Sequence, residues 1–132
     1  MNRLTLACLT MLWLSMTPLA LAYRSTDLYT TQTKTATTAG TPVTDQTLWT
    51  PASGFRIVLQ GCLLSSDGSN RIEVESSDVD VIPPQEFQSY GSVLIQGGGA
   101  AIWIGGVDAT LTWTAASGAS ASILCWGYEA QL

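Results

Sequence analysis

The sequence predicts an all-β protein, a single antiparallel β-sandwich, jelly-roll-like, of roughly seven to eight strands. Three observations predict it. Segments that alternate apolar and polar residues recur at intervals of roughly 8 to 12 residues, separated by Gly, Pro and Asp clusters that favour turns. Beyond the first 22 residues, no segment spaces its apolar side chains for a helix over a useful length. The remaining length, about 110 residues, is that of one ordinary domain.

The chain divides into three parts. Residues 1–22 read as a signal peptide: Arg3 supplies the positive start, Leu4 to Met16 form an apolar run, Pro18 breaks it, and Ala20 to Ala22 offer small residues before Tyr23. A retained membrane helix is the competing reading, but the run is too short for about 30 Å of hydrocarbon and contains Thr, Ser and Pro. Cys8 has almost no apolar segment ahead of it, which argues against a lipoprotein site. The expectation is an exported bacterial protein, secreted to the extracellular space or cell surface, with the periplasm as the alternative. Residues 23–47 are expected to form an extended Thr-rich arm and residues 48–132 the sandwich.

The arm reads as a strand. Tyr29, Thr31, Thr33, Thr35 and Thr37 alternate with Leu28, Thr30, Gln32, Lys34 and Ala36, and threonine favours strands whereas disordered segments favour Pro, Glu, Ser and Gly. Leu28, Tyr29, Thr31, Thr33, Thr35 and Thr37 are therefore the candidate assembly residues. They would pair with a neighbour's sheet edge or with their own domain, two outcomes that use the same strand.

Gly54 to Ser66 form the first sandwich strand, with Phe55, Ile57, Leu59 and Leu63 expected on one face at period two. The Asp67-to-Asn70 turn leads into Arg71 to Ser76, where Ile72 and Val74 oppose Arg71, Glu73 and Glu75, so the two segments predict a hairpin. Asp78 to Ile82 alternates again and is expected to stop at Pro83-Pro84. Glu86 to Gln96 leads to the Gly97-to-Gly99 turn. The segments "AAIWIGG" and "ATLTWTA" are expected to form a second hairpin through Gly105 to Asp108. Ser117 to Ser120 turn the chain into the last strand, "ASILCWGYE".

Two cysteines, Cys62 and Cys125, remain after the leader, an even pair for an oxidising compartment. A disulfide between them is expected to be structural; two buried thiols are the alternative. Loss of Arg3 with the leader leaves 4 basic against 10 acidic residues, a formal charge of −6. Such a surface repels phosphate backbones and anionic membranes, so nucleic acid is excluded as a partner, as is membrane insertion after cleavage.

The residue types present offer little chemistry. With no histidine in the chain, Ser-His-Asp and Cys-His systems and His-based zinc sites are ruled out. No cofactor is expected. Glu73, Glu75, Asp78 and Asp80 crowd one region, but alternation puts Glu73 and Glu75 on a solvated face, so no catalytic residue is assigned and the chain reads as a non-enzyme. Asp67, Asn70, Asp78 and Asp80 offer hard oxygen ligands on turns and make a weak calcium candidate without EF-hand spacing. Among the aromatics, Trp113 shares its face with Leu111 and reads as core. Trp126 sits with Leu124 and Tyr128, opposite Ile123 and Cys125, and Trp103 lies in a strand apolar on both faces. Trp103, Trp126 and Tyr128 are accordingly the candidate aromatics for an interface or a sugar-stacking platform.

Residues Thr50 to Ser76, "TPASGFRIVLQGCLLSSDGSNRIEVES", resemble the opening hairpin of small β-sandwich domains in phage tail, neck and fibre proteins. The resemblance lies in the Pro-containing lead-in, the Gly, the long apolar strand ending in Ser-Ser and the Asp/Gly/Asn turn. It covers about a third of the chain beyond the leader. The signal peptide and the cysteine pair depart from that pattern. The resemblance implies an assembly-prone, non-enzymatic domain. The expected function is a secreted structural subunit of an extracellular filament, homo-oligomeric through strand addition. A small adhesin or carbohydrate-binding module is the alternative.

Overall fold

The computed structural model describes residues 30–131. The expected signal peptide, and Leu28 and Tyr29 of the arm, lie outside the described residues. What is described is all β, in two antiparallel sheets packed face to face. The strands are β1 (Gln32–Thr38), β2 (Val43–Trp49), β3 (Phe55–Ser66), β4 (Asn70–Ser76), β5 (Val79–Phe87), β6 (Gly91–Gln96), β7 (Trp103–Ile104), β8 (Leu111–Ala115) and β9 (Ala121–Gln131).

The first sheet runs in the order β1-β9-β3-β6, with the two-residue β7 also on β3; the second runs β2-β8-β4-β5. The pairings are nested. β4 pairs with β5, β3 with β6, β2 with β8 and β1 with β9, so the chain forms one long ribbon folded back on itself and wound across both sheets. The fold of the ribbon lies at Ser77-Asp78, a two-residue connection with φ of 52° and 60°. Positive φ at both central positions is what a tight hairpin turn matching strand twist requires.

Alternation decides which side chains enter the core. Ile72 and Val74 of β4, Leu111 and Trp113 of β8, Ile57, Leu59, Cys62 and Leu64 of β3, and Ile123 and Cys125 of β9 are buried between the sheets. Each large side chain removed from water in this way contributes about 1.5–3 kcal/mol. Trp113 is fully buried and its indole N–H donates to Gln46 Oε1 at 3.1 Å, so its one polar atom is satisfied. Cys62 and Cys125 face each other across β3 and β9 and are joined by a disulfide. Asn70, also buried, accepts from the Arg71 and Ser117 N–H groups and donates to the Ala119 carbonyl, which ties the β3–β4 turn to the β8–β9 turn.

Several expectations are corrected. Residues 32–47, expected in a separate arm, supply a strand to each sheet: β1 lies in register on β9, from Gln32↔Gly127 to Thr38↔Ala121, and β2 lies on β8. Of the two pairings open to the Thr row, the one seen within the chain is with its own domain, through β9. Leu63 does not share the face of Ile57 and Leu59, because a bulge between Leu59 and Gly61 shifts the alternation by one residue and turns Cys62 and Leu64 inward instead. Pro83-Pro84 do not end their strand: β5 runs through them as the edge of the second sheet, where a missing N–H costs no ladder bond. Neither expected hairpin forms: β3 belongs to the first sheet and β4 to the second, and around Gly105 β7 belongs to the first sheet and β8 to the second. The connection instead follows β3, with Gly97, Ile102, Gly105 and Asp108 N–H groups donating to the carbonyls of Gln60, Leu59, Ile57 and Phe55.

Candidate functional site

The outer face of the first sheet gathers the features that sequence reading singled out. Inward positions go to Ala36, Thr38, Ile123 and Cys125, so Thr33, Thr35 and Thr37 of β1 and Leu124, Trp126 and Tyr128 of β9 face outward. Cross-strand register then builds two rows across the sheet. Thr37, Ser122, Ser65 and Ser92 make a row of hydroxyls; Thr35, Leu124, Leu63 and Leu94 make an apolar row beside it. Leu94 is 55% exposed and Leu63 36%.

Trp126 owes its position to Gly61. A β-carbon at Gly61 would overlap Trp126 Cζ2 and stand 2.7 Å from Cη2, so the indole lies against bare backbone at the bulge. Trp103 behaves differently. It pairs opposite the buried Leu59, packs against the core, and its ring rests on Gly105, where a β-carbon would come 2.6 Å from Cη2. The structure thus brings Trp126 and Tyr128 onto one outer face and turns Trp103 toward the interior, away from them.

Polar contacts close the end of the sandwich between β1, β2 and β9. Glu129 accepts from the Trp49 indole N–H at 2.8 Å and from the Ala52 N–H at 2.9 Å. The Lys34 ammonium lies 5.2 Å from the centroid of the Trp49 ring, a cation–π arrangement. Partial burial pushes the Glu129 carboxyl upward, but the Ala52 and Trp49 hydrogen bonds, with Lys34 and Gln32, outweigh it and hold the group below its ordinary 4.5.

Glu73, Glu75, Asp80 and Glu86 occupy the other sheet. Arg71, Glu73 and Glu75 line the outer face of β4, with Arg71 3.0 Å from Glu73 and 3.6 Å from Glu86. Glu75 is pushed above its ordinary 4.5 by desolvation and then by Glu73, Asp45, Asp80 and Asp78. The four calcium candidates are not brought together. Asp67 and Asn70 lie at the start of β4 and Asp78 and Asp80 beyond its end, roughly 20 Å of strand apart, and the Asn70 side chain is spent on the turn bonds described above. Among the described residues, no group of three or more His, Cys, Asp or Glu is arranged to hold a metal ion. No described helix is long and apolar enough to cross a membrane.

Sequence reading missed Gly61, whose role depends on the bulge, and Tyr90. At 83% exposure Tyr90 is the most exposed aromatic of the described residues, and it borders a cleft at the hydroxyl-rich end of the first sheet. The chain matches no protein-family model, no curated protein and no solved structure.

Proposed function

We propose that the protein is a secreted, non-enzymatic structural subunit of an extracellular filament, in which β1 of one copy is added to the β6 edge of the next. The observation that carries this reading is the contrast between sheet edges. Edge strands are normally blunted by bulges, prolines or charge. In the second sheet, β2 has two register shifts and β5 contains Pro83-Pro84. In the first sheet, β1 and β6 each keep an unbroken register against their neighbours, without proline. Lys34, the one charge in either strand, is folded inward over Trp49.

Strand direction supports the same geometry. Each neighbour in the first sheet is antiparallel to the next, so β6 runs opposite to β1. Copies related by simple translation along the sheet would place β1 antiparallel to β6, continuing the pattern. Such a head-to-tail contact does not close, and its product is an open filament. The winding described above is that of a jelly roll, and the nested first strand is what leaves β1 at an edge. Trp126 and Tyr128 remain the residues of the alternative reading, a glycan-binding module, and Trp126 lying on Gly61 is the observation in its favour.

The test is light scattering after size exclusion, with negative-stain imaging, on residues 23–132. Polymers are expected. Thr35→Lys together with Leu94→Lys places like charges along the joint and should give folded monomers. A wild-type chain that stays monomeric at every concentration would sink the filament reading.

A further inference from the structure

We infer that the cleft beside Tyr90 is a binding site for a neutral saccharide unit. The inference does not depend on filament formation. The cleft, about 400 Å³, lies where the ends of β1 and β3 meet the start of β9. Its rim and floor differ in how their polar atoms are used. On the floor, Ser66 Oγ donates to the Gly68 carbonyl at 2.9 Å and Thr38 Oγ1 accepts from the Ala121 N–H at 3.0 Å, so those hydroxyls are committed to the fold. On the rim, no described bond engages the hydroxyls of Thr37, Ser65 or Ser122, nor the Asp67 carboxylate.

Those free groups are ordered in space. Thr37, Ser122 and Ser65 are register partners on three adjacent strands, so their hydroxyls form a row spanning about 10 Å at ordinary strand spacing. Each hydroxyl both donates and accepts, and the carboxylate accepts from two donors at once. Several hydroxyls on one ligand, each donating and accepting in turn, satisfy this set. Tyr90 adds an exposed ring at the same opening, a surface for the apolar C–H face of a sugar. Charge narrows the class further. The lining contains one carboxylate and no cation, so phosphorylated or sulfated ligands are repelled, and a single carboxylate is too few for calcium. A free sugar and the end of a glycan chain present the same groups.

The experiment is calorimetry and saturation-transfer NMR on residues 23–132 with methyl glucoside, methyl mannoside and methyl galactoside, their disaccharides, and glucose 6-phosphate. At least one neutral saccharide is expected to bind. Tyr90→Ala and Asp67→Asn should each weaken it about tenfold, while Trp126→Ala, outside the cleft, should leave it unchanged. Tighter binding of a disaccharide identifies a glycan chain as the source, and equal binding a free sugar. Glucose 6-phosphate should bind more weakly than its neutral parent. No binding by any neutral saccharide, equal binding of the phosphate, binding indifferent to both cleft variants, or binding abolished by Trp126→Ala would each overturn the assignment. Tyr90 and Asp67 are exposed, so both variants are expected to fold, and circular dichroism checks that they do.

Discussion

The two sheets of this sandwich are built from similar strands but finished differently. The second sheet turns a charged surface outward, Arg71 with Glu73 and Glu86 and Glu75 beside them, and its edges are bulged or carry proline. The first sheet turns out hydroxyls, leucines and an indole, and its two edges run straight. Their internal ties differ as well. The second sheet is held by packing around Trp113, whereas the first adds a covalent bond between β3 and β9; the Glu129–Trp49 hydrogen bond joins one sheet to the other. The contrast teaches that a sandwich with one core need not have equivalent sides. The side that is least adapted to water is also the one most firmly tied.

Breaking the covalent tie has the largest expected effect. Replacing Cys62 and Cys125 by Ala together should lower stability by about 2–5 kcal/mol in urea denaturation, because the bond closes a loop of 63 residue steps. A loss under about 1 kcal/mol would mean that the first sheet does not depend on its disulfide, and the contrast in ties would fail. Next in size is Gly61→Val. The added side chain has no room beside Trp126, so the indole must leave its seat or the bulge must shift, at about 1–3 kcal/mol. The Trp126 indole N–H resonance should move while that of Trp113 stays in place.

Acid sharpens the contrast with the smallest effect. Glu129, in the first sheet, has a lowered folded-state pKa. Its contribution is therefore present above the ordinary 4.5 and is lost as pH falls through the folded value. Glu75, in the second sheet, has a raised one. Its cost is absent below 4.5 and grows as pH rises through the folded value. Denaturation midpoints measured from neutral pH downward should fall less steeply for Glu129→Gln than for the wild type. Glu75→Gln should raise the midpoint slightly at neutral pH and leave it unchanged in acid. Identical slopes for wild type and Glu129→Gln would remove Glu129 as a tie.

Much of the fold was legible because alternation is a local signal. The strands β3 and β4, the burial of Trp113 and the outward face of Leu124, Trp126 and Tyr128 all follow from period-two patterning; that β3 and β4 fall in different sheets instead of pairing as a hairpin does not, because sheet order sets it. What escaped depends on partners distant in sequence. The bulge at Gln60 is set by Trp126 and Gly127 across the sheet, so nothing within β3 announces that Leu63 will face outward. Pro83 and Pro84 are tolerated because β5 is an edge, a fact of sheet order rather than of local composition. The Ser77-Asp78 turn lacks the glycine that marks such turns. The aromatic candidates were recognisable as residue types, yet the selection of Trp126 over Trp103 required Gly61 and Gly105 to be seen under their rings. Tyr90 sits in a loop with no alternation to read, and its cleft is assembled from three strands.

The nesting of strand pairs constrains the order of events during folding. The ribbon can zip outward from Ser77-Asp78, where β4 and β5 are joined by two residues, but β1 must wait for β9, whose residues lie more than eighty positions later in the chain. The first of the described strands is thus among the last to find its place. Until β9 has been synthesised and seated against β3, the Thr-rich segment has no partner strand in its own sheet. Wiring of this kind leaves β1 without a sheet partner throughout the time in which β2 to β8 are made.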